Sequence, residues 1–281
     1  MYRISFAPEL IKTVVFTLLY FLGATRLVAW WNRRQVRILC YHGVTRRLDR
    51  ILHNPHKLHV RYDRFAAHLD HLQRRYRVIS LGEYLAARRE GRRLPDYSVI
   101  LTFDDGYRNF LTVIAPCLAA RAMPASVFLV TDRLRQNGDP NMNGHWTPAD
   151  DELCLSWTEA QNLRRQQPIE FGSHTCSHTE LPSLPPQETV REIRDSYTAI
   201  VANTDNREVA LAYPRGKYSE LIVEQARSTG YACALTTDVG TNDMRSDLFT
   251  LKRILIGDDD NKAAFAVRVS GLAQWLKRLT G

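Results

Sequence analysis

The chain has 281 residues, of which 44% are hydrophobic and 24% are charged, and these shares are close to those of an average globular protein. They exclude a disordered chain, a collagen-like chain and a polytopic membrane protein, and the length suits one large α/β domain or two small ones. The net charge is +8, from 38 basic and 30 acidic side chains. Because no dense Lys/Arg run is interleaved with aromatic residues, we expect a solvated basic surface or a membrane surface nearby, and no nucleic-acid partner.

The 5 cysteines of the chain are scattered and contain no CxxC pair. A disulfide framework would need an even number at close spacing in a short secreted chain. This pattern favours reduced, buried thiols and weakly favours a reducing compartment.

The first 35 residues contain an apolar stretch that is short for a membrane span. Residues 13–25 carry no charge, and as a helix they would cover roughly 20 Å of a ~30 Å hydrocarbon core. Residues typical of a membrane interface follow: Trp30, Trp31, Arg33, Arg34 and Arg37. We expect residues 1–35 to form an anchor-like hydrophobic helix that lies on a membrane or spans it. A cleaved signal peptide and a buried core helix are the alternatives.

The arginines after this stretch also bear on location. If the stretch spans a membrane, they favour a downstream domain on the cytoplasmic side. A secreted or periplasmic domain is the alternative.

From residue 36 onward, short apolar runs alternate with longer amphipathic segments. The predicted strands are 36–44, 98–106, 125–130, 169–174, 209–216, 232–238 and 251–256. The predicted helices are 63–76 with Asp63 as a possible N-cap, 113–121, 159–166, 187–202, 220–229 and 262–278. This alternation predicts an α/β fold with right-handed βαβ units and a parallel sheet or barrel. Residues 132–151, rich in Asn, Asp, Gly and Pro, are expected to form a loop over one face.

Acidic and imidazole side chains follow two of the predicted strands. Asp104 and Asp105 come at the end of an apolar strand, where two buried carboxylates need a cation or protons. His174 and His178 follow another strand, and a helical turn would place both imidazoles on one side, where they could share a metal ion. Together they would leave coordination positions open for water and substrate. The alternatives are an Asp-Gly turn that caps a helix and a pair of surface histidines; we interpret Cys176, between the histidines, as a packing residue.

Three motifs of this chain resemble those of the polysaccharide deacetylases, the NodB-type carbohydrate esterases. They are LTFDDGYRN (101–109), EFGSHTCSHTEL (170–181) and LAYPRGKYSE (211–220), and the resemblance extends over about residues 36–255. It implies a deformed (β/α) barrel over residues 36–281, with the site at the carboxyl ends of the strands. It also implies metal-dependent removal of N-acetyl groups from an amino-sugar polysaccharide or a lipid-linked glycan. Removal of a formyl or other small acyl group from a lipid-linked sugar, and a non-catalytic carbohydrate-binding relative, are the alternatives.

The resemblance also implies a role for individual residues. Asp104 would be the general base. A divalent metal ion, zinc by default and nickel, cobalt or iron as alternatives, would be held by Asp105, His174 and His178. The substrate groove would be shaped by Tyr213, Pro214 and Gly216, and the Tyr213 N–H would help to bind the oxyanion.

The chain departs from the commonest family pattern at two places. Many members have a late L-x-x-H histidine, but residues 251–260 (LKRILIGDDD) contain none, and Ala212 stands where many members have an arginine. Biofilm poly-N-acetylglucosamine deacetylases form a branch that resembles this chain in beginning with a strand and a YH motif. That resemblance implies that His42, in LCYHGV, is the general acid. His145 and Asp258 are alternative acids without support from a motif.

Overall fold

The computed structural model describes residues 7–46, 58–137, 153–206 and 208–280, and a closed barrel of parallel strands lies at its centre. The strands are β1 (Arg37–Tyr41), β2 (Val44–Thr45), β3 (Val60–Arg61), β4 (Arg77–Val78), β5 (Ser98–Phe103), β6 (Ala125–Leu129), β7 (Ile169–Ser173), β8 (Ala210–Ala212), β9 (Cys233–Val239) and β10 (Leu251–Leu255). The ring runs β1, β10, β9, β8, β7, β6, β5, and pairing of β5 with β1 closes it. Strand β4 pairs with the start of β5, and β2 pairs with β3. The predicted deformed (β/α) barrel is confirmed.

Helices surround the barrel and cover one of its ends. They are α1 (Ala7–Phe21), α2 (Ala24–Trp31), α3 (Tyr62–Arg75), α4 (Leu81–Glu90), α5 (Ala115–Ala119), α6 (Thr131–Asn137), α7 (Trp157–Gln166), α8 (Pro186–Thr204), α9 (Glu220–Thr229), α10 (Lys262–Ser270) and α11 (Leu272–Thr280). A π-helical turn, Phe110–Ile114, precedes α5, and two short 3-10 turns span Leu181–Ser183 and Pro214–Gly216.

Local sequence explains where several helices begin and end. Ser156 and Glu159 form a capping box, in which each side chain accepts a hydrogen bond from the other residue's N–H, and this fixes the start of α7. The Ser80 hydroxyl accepts the Glu83 N–H at the start of α4, and Gly91 ends the same helix in the left-handed conformation at φ 63°.

The barrel strands are buried on both faces, so they contribute to two cores. The larger core joins the strands to the surrounding helices and includes Leu39 and Phe103. The smaller core contains Ile38, Ile100 and Phe128, together with side chains of α4. Because successive residues of a strand point to opposite faces, the second core fills the barrel and α4 closes its amino-terminal end. The opposite end, where the strands have their carboxyl ends, carries the chemistry described below.

The structure corrects some of the predicted elements. The helix expected at 262–278 is two helices, because Gly271 at φ 90° ends α10. Asp63 lies in the first turn of α3, and Arg61 is the N-cap residue. Part of the loop expected at 132–151 forms α6, and residues 138–151 lie outside the described residues. The two-residue strands β2, β3 and β4 are too short to show a periodic pattern.

The N-terminal segment is two helices rather than the single one expected. Gly23, at φ 78°, separates α1 from α2, and the two helices are bent by 75°. In the described chain no single helix is long and apolar enough to cross a membrane, although this bent pair passes the same test by length and composition. Both helices pack against α10, and Arg37, expected near a membrane interface, is fully buried at the start of β1. The division into a segment 1–35 and a domain 36–281 stays a prediction.

Candidate active site

Four side chains converge where β5 and β7 reach their carboxyl ends. Asp104 and Asp105 follow β5, and His174 follows β7. The Asp104 N–H donates to the Tyr41 carbonyl at 2.9 Å, which continues the barrel pairing up to the carboxylates. His174 Nε2 lies 3.8 Å from Asp104 Oδ2 and 3.8 Å from Asp105 Oδ1, and His178 Nε2 lies 3.4 Å from Asp105 Oδ1. These four residues, which sequence analysis placed after two strands, therefore lie together at one rim of the barrel, the rim formed by the carboxyl ends of the strands.

One carboxylate and two imidazoles form a candidate metal centre. The ligand atoms of Asp105, His174 and His178 lie within 4.8 Å of one another, the one such group among the described residues. A tetrahedral ion with bonds of ~2.1 Å needs ligand atoms about 3.4 Å apart, so little movement is required. Asp105 Oδ1 is buried without a hydrogen-bond partner. His174 Nδ1 lies 2.7 Å from the Ala212 carbonyl, which places the proton on Nδ1 and directs the Nε2 lone pair into the site. These residues fit a divalent metal ion.

The charge state of these ligands is also suitable. Burial raises the pKa of Asp105, but the neighbouring His42, His174 and His178 lower it by more. The pKa of this carboxyl group therefore lies below its usual range. Burial, together with the neighbouring His174, lowers the pKa of His178 to about 4. At neutral pH the set therefore presents a carboxylate and a neutral His178 imidazole, the forms in which these groups bind a metal.

The segment 174–178 is a loop, so the predicted helical turn is wrong. Thr175 and His178 have φ values of 66° and 68°, in the left-handed region that few non-glycine residues adopt. The loop is held in place by hydrogen bonds: the Cys176 N–H donates to Glu192 of α8 at 2.8 Å, and the His178 N–H donates to the Thr175 hydroxyl at 3.2 Å. Cys176 is buried and its thiol contacts the Glu192 carbonyl, which confirms its packing role.

Arg253 on β10 is a site residue that sequence analysis missed. Its Nη1 and Nη2 donate to Oδ1 and Oδ2 of Asp104 at 2.7 and 2.8 Å, and the two side chains are only 1% and 3% exposed. Arg253 is itself held by the Thr236 carbonyl, which accepts its Nε–H at 2.8 Å. This two-point contact fixes the plane of the carboxylate. Burial raises the pKa of Asp104, but Arg253 and His174 hold it well below its usual range, so Asp104 is ionised at neutral pH.

The sequence carried one signal for Arg253. Residues two apart in a strand share a face, so Arg253 shares a face of β10 with the buried Leu251. A charged side chain on a buried strand face requires a partner of opposite charge. The position that holds an arginine in many family members is Ala212 here, and the Arg253 guanidinium supplies a cation to the site from another strand.

His42 lies at the same rim, beside Asp104. Tyr41 and Phe103 are partners in the parallel pairing of β1 with β5, so the residues that follow them, His42 and Asp104, are neighbours. His42 Nδ1 is buried and has no hydrogen-bond partner in the described part of the chain. Burial lowers the pKa of His42, although Asp104 and Asp105 oppose this effect. The imidazole is therefore neutral at neutral pH in the protein alone.

The third motif lies next to the site, but the three residues of it that were expected to bind substrate are buried in the fold. Tyr213, Pro214 and Gly216 are all buried. The Tyr213 N–H donates to the Leu235 carbonyl at 3.0 Å, so the expectation that it binds the oxyanion is wrong. The Tyr213 hydroxyl donates to the Phe249 carbonyl at 3.1 Å. A direct contact of these three residues with substrate stays a prediction.

Neither alternative acid gains support from the geometry. Asp258 Oδ1 lies 3.5 Å from Arg61 Nε, and Oδ2 lies 3.5 Å from Arg64 Nη1. Its two carboxylate oxygens are thus engaged by arginines of α3 and β3, and none of the described contacts links it to the ligand cluster. His145 lies outside the described residues.

Comparison with curated proteins finds relatives of one kind. The chain is 24% identical over 236 residues to YxkH of Bacillus subtilis, which is named as a polysaccharide deacetylase, with 84% of this chain and 76% of the relative covered. It is 25% identical over 221 residues to the poly-beta-1,6-N-acetyl-D-glucosamine N-deacetylase of Escherichia coli K12. That match covers 69% of this chain but 33% of the relative, so the chain spans about a third of the length of that protein.

Solved structures share the fold. The Streptococcus pyogenes deacetylase PplD in complex with acetate superimposes with a TM-score of 0.72 at 22% identity, over 84% of this chain and 98% of that one. IcaB of Ammonifex degensii gives a TM-score of 0.67 at 20% identity, over 84% and 97% of the two chains. The family profile described as "Polysaccharide deacetylase" matches residues 91–234, about half of the chain. With this match and the shared barrel in place, the chain belongs to the polysaccharide deacetylase family, hydrolases that act on the C–N amide bonds of polysaccharides.

Proposed function

We propose that this protein removes N-acetyl groups from a polymer of N-acetylglucosamine, releasing acetate and leaving a free amine on the sugar. The observation that carries the proposal is the convergence of Asp105, His174 and His178 beside a second, buried carboxylate, Asp104. The name of the Escherichia coli relative supports a β-1,6-linked polymer as the first substrate to test.

A divalent metal ion would be held by Asp105, His174 and His178. When bound, it supplies Lewis acidity that polarises the acetamide carbonyl and makes water a stronger acid. Zinc is the default because two imidazoles and one carboxylate with open positions suit it, and nickel, cobalt or iron fit the same ligands.

Asp104 is the general base of the proposed reaction. Its Oδ2 lies 3.8 Å from His174 Nε2, so the carboxylate borders the ligand cluster. Arg253 holds both carboxylate oxygens and keeps them ionised, while the remaining lone pairs accept a proton from the attacking water as the new C–O bond forms. The ion pair with Arg253 therefore holds the Asp104 carboxylate in one orientation.

His42 is the general acid of the proposed reaction. The amide nitrogen must gain a proton as the C–N bond breaks, because an amide anion is too poor a leaving group. His42 is neutral in the free protein, so it takes up the proton that Asp104 removed from water and passes it to the nitrogen. One water is consumed for each acetate and amine formed, and both side chains return to their starting state.

Acetate release from β-1,6-linked N-acetylglucosamine oligomers tests the function. We expect the zinc-loaded chain to release acetate, a chelator to abolish release, and added zinc to restore it. Absence of acetate release from every amino-sugar polymer tested would contradict the proposal, and so would release of formate alone from N-formyl sugars.

His42→Ala tests the acid. We expect acetate release to fall by roughly 10²- to 10⁴-fold at neutral pH, because this is the usual contribution of a positioned acid or base. His71→Ala is the matched control, since His71 lies on α3 outside the rim. If His42→Ala releases acetate at the rate of the control, His42 is not the proton donor.

A further inference from the structure

A cavity lies between the N-terminal helices and the barrel, away from the candidate active site. It has a volume of about 400 Å³, and α1, α2, α3 and α10 all contribute to its wall. Tyr76 precedes β4 and Tyr97 precedes β5, so the cavity borders the amino-terminal end of the strands. A five-residue strand is about 17 Å long. The candidate active site, at the carboxyl ends of the strands, therefore lies roughly one strand length from this cavity.

The wall of this cavity is positively charged. It includes Arg26 and Arg75, and none of the described residues that line it is acidic. Burial, together with the nearby Arg75, Lys262 and Arg74, lowers the pKa of His71, which also lines the cavity, to about 4. The charge around His71 is thus positive, and an anion would be attracted into the cavity.

A buried arginine next to the cavity lacks a counter-anion. Arg37 is 0% exposed, and the acceptors of its Nε and Nη1 are the carbonyls of Val269 and Gln35, at 2.9 and 2.7 Å. Its Nη2 is buried without a partner, and no described carboxylate forms an ion pair with it. The guanidinium carbon lies 5.6 Å from the ring centroid of Tyr76, a residue of the cavity wall.

Arg37 differs from the buried arginine of the candidate active site because no carboxylate of the described residues pairs with it. Arg253 is equally buried, but both of its Nη atoms donate to the carboxylate of Asp104. A buried cation is costly unless it is paired, so an anion from outside the chain near Arg37 would stabilise it. Arg26 and Arg75 of the cavity wall are exposed, and they could contact the same anion directly.

An exposed apolar surface adjoins the cavity on α1 and α2. Phe21, at the cavity wall, is 78% exposed, Leu22 is 80% exposed and Trp31 is 78% exposed. Other large apolar side chains are also exposed on these helices: Val14, Val15, Leu18, Leu27 and Trp30. Arg26 and Arg34, both exposed, lie among them. Apolar and aromatic side chains beside arginines are the pattern of helices that lie in a membrane interface.

We propose that this cavity binds the phosphate headgroup of an anionic membrane lipid while the apolar surface of α1 and α2 lies in the adjoining leaflet. Three observations favour a lipid over a free anion or a protein partner: the apolar surface continues from the cavity wall, the exposed Arg26 and Arg34 lie among its side chains, and two adjacent tryptophans are exposed. Because the two helices are bent by 75° at Gly23, they do not form one straight apolar helix. In this arrangement the catalytic rim lies at the other end of the strands, where a polymer in solution can reach it.

Vesicle flotation with the full chain tests the proposal. We expect binding to phosphatidylcholine vesicles that contain phosphatidylglycerol and much weaker binding to pure phosphatidylcholine. Arg26→Gln with Arg75→Gln should weaken binding by roughly 25-fold, because each arginine near an anionic surface contributes about 1 kcal/mol. The charge-matched control, Arg165→Gln with Arg191→Gln, changes two exposed arginines on α7 and α8 and should bind like wild type.

Two further measurements separate the lipid from other anions and from the catalytic site. Brominated phosphatidylglycerol should quench tryptophan fluorescence, and Trp30→Phe with Trp31→Phe should remove most of that quenching. The Arg26/Arg75 variant should release acetate from soluble oligomers at the wild-type rate, so loss of vesicle binding is distinguishable from loss of catalysis. Equal binding to both vesicle types, equal loss in the control variant, or binding of inorganic phosphate without vesicle flotation would each overturn the proposal.

Discussion

Asp104→Asn is expected to lower acetate release by roughly 10³-fold, because an amide cannot take the proton of the attacking water. Metal binding should persist, since the ligand atoms belong to Asp105, His174 and His178. The variant leaves Arg253 without its full counter-charge, so we also expect a lower free energy of unfolding.

Metal content is the measurement that separates lost chemistry from lost folding. Asp104→Asn should retain zinc after dialysis, whereas Asp105→Asn should lose both zinc and activity. Activity of Asp104→Asn within a few fold of wild type would show that another group accepts the proton.

Arg253→Met is expected to have the second large effect, on activity and on stability together. Removing one partner of a buried ion pair costs about 3–5 kcal/mol, because the other charge stays buried. Burial alone raises the pKa of Asp104, so without Arg253 this pKa should rise above its present low value. A carboxylate with a raised pKa is protonated, and therefore inactive as a base, up to a higher pH. The acid limb of the kcat/KM profile should accordingly move to higher pH.

Two control variants separate the effect of the Arg253 charge from the effect of its two-point contact with Asp104. Arg253→Lys keeps the charge but not the two-point contact, so its acid limb should lie between those of wild type and Arg253→Met. Asp104→Leu combined with Arg253→Met removes both charges, and it should recover stability without recovering activity. An unchanged pH profile in Arg253→Met would show that Arg253 serves the fold alone.

The order of strands and helices was accessible from sequence because most elements are long enough to show a period. The predicted helix 220–229 coincides with α9, and the predicted strand 251–256 contains β10. Two of the errors arise where a single residue decides the outcome: Gly23 and Gly271 adopt left-handed conformations and divide apolar segments whose sequence pattern predicts continuous helices.

The site residues that sequence could predict are those whose acidic or imidazole side chains come directly after a strand, within one motif. Asp104 with Asp105, and His174 with His178, each follow a strand, and parallel strands bring such ends together. Arg253 lies 149 residues from Asp104, and only the closed ring of strands shows that the two side chains meet. The occupied N–H of Tyr213 was equally out of reach, since its acceptor is set by the register of β8 with β9.

The most direct test of the central claim is the number of zinc ions bound per chain, measured by mass spectrometry of the dialysed protein. We predict one ion in wild type and in the control His71→Ala, and far less than one in His174→Ala and in His178→Ala. A wild-type chain that binds no zinc, nickel, cobalt or iron, or histidine variants that keep the full complement, would contradict the account.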